Sequence, residues 1–227
     1  MRTFLAGVIS LAALLLSVTS ATAQEKKAEI KPLKVLLVTG GCCHDYDRQK
    51  LILSEGIGIR VPTEFTIVQE GGKSTNHKIS IYDKEGWADP YDVVIHNECF
   101  SDVKEPAFTE KILKPHREGK PAIVIHCAMH CYRDKTDEWF KFIGVTSHRH
   151  GKHFAFDVTN VQPENPIMKG FGEKWTTPQG ELYHIEKTWE NCTPLAKGYS
   201  PETKSDHVCI WTNTYGKGRD FGTTVGH

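Results

Sequence analysis

An α/β domain built on a mostly parallel, doubly wound sheet is what this sequence predicts, and three observations predict it. Short apolar runs recur at residues 34–39, 91–99 and 121–126, and runs of that length read as strands buried on both faces. Helical patterns lie between them, at residues 46–58 and 106–118, which is the alternation that builds crossover units. Each run turns abruptly polar at its carboxyl end, the rim where open sheets of this kind bind ligands.

The N-terminus is read separately. Arg2 precedes an apolar run from Phe4 to Val18, followed by Ser20-Ala21-Thr22-Ala23. A charged start, an apolar stretch and a small-residue cleavage site make residues 1–23 an expected secretory signal peptide. The product would be secreted or periplasmic. The apolar run is short for a bilayer span of ~20 residues, so no membrane association is expected beyond export. Residues 24–33 are charged and aperiodic and read as a flexible lead-in. Residues 34–227 remain as one domain, large enough for a single substantial core.

Within that domain Asp45 is a helix cap, with Leu51, Leu53 and Ile57 expected inward. Residues 64–70 alternate as a second strand, and residues 71–76 are turn formers. In the helix at 106–118, Phe108, Ile112 and Leu113 are the inward set. Beyond Cys131 the texture changes. A short helix capped by Thr136 ends at Gly144, and a loop carries His148, His150 and His153. Strands are expected at 154–158, 181–185, 207–212 and 219–224, the last two as a hairpin. The C-terminal part is therefore β-rich. A doubly wound domain would add a covering helix after the last strand, so truncation there is expected.

Positive and negative side chains balance at 28 each, which gives nucleic acid or an anionic surface no electrostatic hold. Oligomeric state is not written in the pattern. Seven cysteines stand at 42, 43, 99, 127, 131, 192 and 209. An odd count leaves at least one outside any intrachain bridge, and at most one or two bridges are expected. Cys42 and Cys43 are an unfavourable pair, because a bridge between neighbours is strained.

Several pieces together resemble a known family. They are Thr39-Gly40-Gly41 followed by His44-Asp45-Tyr46, then Val124-Ile125-His126, and Gly144 followed by His148 and His150. Glu181-Leu182-Tyr183 and the run from Gly216-Lys217-Gly218-Arg219 to Val225-Gly226-His227 complete the set. In this order they resemble the ThuA-like (trehalose-utilisation) family, whose fold is that of class I glutamine amidotransferases. The resemblance implies a flavodoxin-like three-layer sandwich and a role in carbohydrate utilisation, with trehalose or a related sugar derivative as partner. Two departures stand out. The amidotransferase elbow carries a nucleophilic cysteine where this chain has His126, and Cys127 would point to the other face; no glutaminase activity is expected. Asn165-Pro166 also stands where many relatives carry His before Pro.

The candidate site gathers polar residues at strand exits. His126, Glu98 and Glu181 are the catalytic candidates, with either carboxylate a general base if partial burial raises its pKa. Gly41, His44, Tyr183 and His227 are expected to bind ligand. His126, His130, His148 and His150 are candidate ligands for a divalent metal such as zinc, since imidazoles with a carboxylate suit such an ion. Acid–base or metal-assisted chemistry on a sugar is the leading expectation. A non-catalytic sugar-binding module and a His/Cys metal-binding protein are the alternatives. Trp139, Trp175, Trp189 and Trp211 are available to stack on sugar rings or to anchor the core.

Overall fold

The structure, a computed structural model, describes residues 30–226. The expected signal peptide, the lead-in up to Glu29, and His227 lie outside the described residues. The first half follows the predicted order: β1 (Leu33–Gly41), α1 (Tyr46–Gly58), β2 (Thr63–Gln69), β3 (Val93–Cys99), α2 (Pro106–Glu118) and β4 (Ala122–Ile125). A one-turn 3-10 segment, His126–His130, follows β4 directly. Then come α3 (Glu138–Ile143), β5 (Val145–His150), β6 (Asp157–Asn160), β7 (Lys174–Thr176), β8 (Tyr183–Thr188), β9 (Thr193–Ser200), β10 (Ser205–Tyr215) and β11 (Gly218–Thr223).

Nine strands form one sheet in the order β2-β1-β3-β4-β11-β10-β9-β6-β7, and β5 pairs with β8 apart from it. The ladders from β2 to β11 are parallel, and those from β11 to β7 are antiparallel. The sheet is thus mixed, with its parallel part at the core. The hairpin expected near the end of the chain is β10–β11, and its second strand inserts beside β4. That placement brings residues 224–226 to the exit of β4.

Strand periodicity distributes the core. Val35 and Leu37 of β1 pack with Ile95, Ile125 and the α1 residues Leu53 and Ile57. Leu36 and Val38 face the other way, into a larger cluster with Phe108, Ile112 and Leu113 of α2 and Trp139, Phe140 and Phe142 of α3. Leu51, expected inward, is half exposed, because it lies off the stripe that Leu53 and Ile57 define. Trp139 and Trp211 are buried anchors, their indole N–H groups donating to Ala128 O (2.9 Å) and Ile143 O (2.7 Å).

Three assignments differ from the sequence reading. The strand expected at 154–158 begins at Asp157, and Phe154 contributes only an isolated bridge to Gly180. The histidine-rich loop is half strand, because β8 pairs with residues 145–150. β7 and β9 carry weak signals: the first is three residues long, and the second contains Pro194 and Gly198, which read as breakers. Among the described residues no helix is long and apolar enough to cross a membrane.

Asp220 of β11 is buried in the middle of this sheet, and burial pushes its carboxyl up to about 8, with the Ala122 backbone N–H offsetting only part of the effect. The folded state therefore favours the protonated acid. A raised folded-state pKa gives stability that is full below the unfolded value of about 4 and is lost as pH rises through about 8. Asp220→Asn should flatten that slope and raise stability at pH 8 by about 1–3 kcal/mol. Thermal melts from pH 5 to 9 read this directly; parallel curves for variant and parent would show that the carboxyl does not titrate as described.

Candidate functional site

The site forms where β4 and β11 leave the sheet. His126 is the first residue after β4 and has a left-handed backbone, φ 50°, a conformation uncommon for a residue with a Cβ. It turns the ring away from the strand direction, and the imidazole is almost fully buried. Nδ1 lies 2.6 Å from the Thr224 carbonyl oxygen. A carbonyl only accepts, so Nδ1 carries hydrogen and Nε2 is left facing Glu181 Oε2 at 3.2 Å.

Glu181 precedes β8 and is nearly buried among imidazoles. Its Oε1 lies 2.7 Å from His153 Nε2 and 3.6 Å from His150 Nε2. His150 commits its other nitrogen, Nδ1, to Gly151 O at 2.7 Å. His44, in the turn after β1, stacks edge-on against His126 with ring centroids 4.6 Å apart. One ligand atom from each of His44, His126 and Glu181 falls within 4.8 Å of the other two. Tyr183 is sealed beneath, its ring parallel to His130 at 4.3 Å and close to His126 at 4.9 Å.

The electrostatics of Glu181 run opposite to the expectation of a raised carboxyl. Burial pushes it up, but His126, His150 and His153 outweigh that and hold it down to about 2. Glu181 is therefore a fixed negative charge at any ordinary pH, suited to anchoring cations or imidazoles and unsuited to donating a proton.

Other expected residues are placed elsewhere. Glu98 is sealed on the α2–α3 side of the sheet, where its Oε1 accepts from Tyr82 (2.9 Å) and Tyr132 (3.2 Å) and lies 3.0 Å from His96 Nδ1. It belongs to a structural network and not to the cluster around Glu181. Burial first, then the Glu98 charge, pushes both phenol groups well up, so they remain donors. His116 fixes the protons further in. Its Nδ1 donates to Lys120 O (2.9 Å), so its Nε2 must accept from His96 Nε2 at 3.1 Å. Gly41 serves the sheet, because a Cβ there would lie 2.4 Å from the Cys99 carbonyl oxygen. His130 bonds Ser147 Oγ at 3.2 Å, and burial, reinforced by Arg133, pushes it down to about 3. It is a neutral packing ring outside the ligand-distance group. His148 pairs with Glu186 on the surface (3.0 Å).

Of the four expected metal ligands, then, His126 alone is in the group with metal-ligand distances, and His150 borders it. His153 stands in the expected histidine loop but outside the expected ligand set; its signal is the spacing His150-Gly151-x-His153, which brings two imidazoles to one carboxylate. The expectation against a Cys42–Cys43 bridge is also corrected: the two are disulfide-bonded, as are Cys99 and Cys127. Cys131, Cys192 and Cys209 are free. A cleft of about 630 Å³ opens beside His44, between α1 and the β11 exit, with Arg48, Gln49, Asn97 and Gly226 in its wall. Gln49 ties its two sides together, accepting from Asn97 Nδ2 (3.1 Å) and donating to Gly226 O (3.0 Å).

An α/β domain with its titratable cluster and cleft at the carboxyl rim of parallel strands is the class that fold and site define. The chain belongs to the ThuA family, described as trehalose utilisation, which it matches over residues 34–227. Similar solved structures include a ThuA-like protein of Parabacteroides merdae, at 17% identity and TM-score 0.68, covering 86% of this chain and 79% of that one. A ThuA-like protein of Bacteroides uniformis aligns at 15% identity and TM-score 0.61, covering 88% and 84%. At these identities the likeness shows the fold. No functionally curated protein matches the sequence.

The two carboxylates should respond differently to loss of charge. Glu98→Gln leaves a buried network with mismatched donors and should cost about 2–3 kcal/mol of stability. Urea denaturation measures this, and a change under about 0.5 kcal/mol would show that the network carries no such weight.

Proposed function

We propose that this is an exported carbohydrate-utilisation protein that acts on trehalose or a related sugar derivative by metal-assisted acid–base chemistry at His44, His126 and Glu181. The observation that carries the reading is the convergence of two imidazoles and one ionised carboxylate at the strand-exit rim. That donor set suits zinc or another first-row divalent ion. The Thr224 carbonyl supports it too, because a ligating histidine commonly spends its other nitrogen on a backbone carbonyl, which fixes the ring. When bound, such an ion supplies Lewis acidity toward a sugar oxygen and lowers the pKa of a coordinated water.

The chain's own residues have separable roles. His126 and His44 orient the reacting group, and Glu181 holds the negative charge between them. Because Glu181 stays ionised, proton donation falls to an imidazole, and His150 and His153 at its other oxygen are placed for it. Trp175 is 45% exposed and shares a small groove with Glu181, so it is the indole available for a sugar face. Cys127 is in a disulfide, which supports the reading without glutaminase activity. The residue order through β4 supports the flavodoxin-like layering that the resemblance implies.

Purified protein incubated with zinc, manganese or nickel and analysed for bound metal should retain about one ion per chain. His126→Ala and Glu181→Gln should each weaken retention at least tenfold, on the order of a lost ligand. Against a panel of disaccharides and oxidised disaccharides, the same variants should lower turnover by about 10²–10⁴-fold. No metal and no turnover in the parent protein would remove the proposal, and sugar binding without turnover would favour the binding module.

A further inference from the structure

Four of the cysteines form one contiguous sulfur cluster. Cys42 and Cys43, in the turn after β1, are bonded to each other; Cys99, ending β3, is bonded to Cys127 in the turn after β4. The two disulfides touch. Cys42 Sγ lies 3.7 Å from Cys99 Sγ, and the sulfurs of Cys42, Cys43 and Cys99 all lie within 4.8 Å of one another. Exposure divides the pairs sharply. Cys43 is exposed and Cys42 half-buried, whereas Cys99 and Cys127 are 3% and 5% exposed.

We propose that Cys42–Cys43 is a surface relay that passes electrons from an external dithiol to the buried Cys99–Cys127 disulfide. Thiol–disulfide exchange proceeds by thiolate attack on an accessible sulfur, through a mixed disulfide. A dithiol in solution meets Cys43 and is screened from the inner pair. Its first thiolate attacks Cys43 Sγ, breaking the Cys42–Cys43 bond and expelling the Cys42 thiolate. Its second sulfur closes on the first and releases Cys43, so the reductant leaves as a disulfide. The Cys42 thiolate then attacks Cys99 Sγ, forming Cys42–Cys99 and expelling the Cys127 thiolate. Cys43 attacks Cys42, re-forming the surface bond and freeing Cys99. The two protons given up by the dithiol end on Cys99 and Cys127, and the inner disulfide has gained its two electrons.

Neighbouring residues give the exchange a location. Cys43 precedes His44, and Cys127 follows His126, so each pair holds one end of the segment carrying a candidate-site imidazole. The relay itself requires no sugar chemistry and stands or falls independently of it.

Cys43→Ser traps the central step, because Cys42 is left with no neighbour to re-pair with. Alkylation of the native variant followed by peptide mapping should find Cys42 bonded to Cys99 and Cys127 alkylated. Cys99–Cys127 intact with Cys42 alkylated would overturn the proposal. The second measurement follows labelling of Cys99 and Cys127 in the full-length protein under dithiothreitol. Replacing both Cys42 and Cys43 by Ser should slow that labelling at least about tenfold, whereas an equal or faster rate would show that the reductant reaches the inner pair without the relay.

Discussion

The hydrogen bond from His126 Nδ1 to the Thr224 carbonyl joins the exits of two adjacent parallel strands, and most of the site's geometry follows from it. The bond sets which nitrogen of His126 carries hydrogen, and therefore which one faces Glu181. It is made from a residue whose backbone is left-handed, where β4 gives way to the 3-10 turn. Strain at one residue is acceptable where its surroundings over-determine it. Here Thr224, His44, Tyr183 and Glu181 all press on the same ring.

Alternation along β3 then separates two polar centres that lie close in sequence. His96 and Glu98 point to the α2–α3 side and are consumed in a closed network with two tyrosines and His116. Asn97, between them, points to the other side and reaches Thr39 and Gln49 at the cleft. The buried network is enclosed on all sides; its donors converge on Glu98 Oε1, and Oε2 has no hydrogen-bond partner among the described residues. The cluster around Glu181 is only partly enclosed, with His44, His150 and His153 at its open edge. One carboxylate stabilises the sheet; the other presents charge to whatever enters.

The parallel half of the fold was legible because β1, β3 and β4 open on apolar runs, with polar or turn residues where the runs stop, while β2 showed itself only by alternation and β11 by its place in a hairpin. The central position of His126 was legible for the same reason. Glu98 was misplaced because a strand exit specifies height along the sheet but not face, and a single residue of register decides between cleft and core. The partners of Glu181 depend on β5 meeting β8, an antiparallel pair with two register shifts. Nothing local in a run such as Ser147-His148-Arg149-His150 encodes that pairing. The Cys42–Cys43 bond was discounted on a general argument about neighbours, which cannot register the local backbone in which Cys43 sits at φ 86°.

The insertion of β11 between β4 and β10 has a consequence for how the molecule is made. A chain emerging from its amino end must hold a vacant slot in the middle of its largest sheet until the last described strand arrives. Both flanking edges stay unsatisfied in the meantime, and open edges of that kind invite pairing with other chains. The same late strand delivers the carbonyl that orients His126. Orientation of His126 therefore waits on closure of the sheet at β11, and partially folded chains should expose an open seam there rather than an ordered histidine cluster.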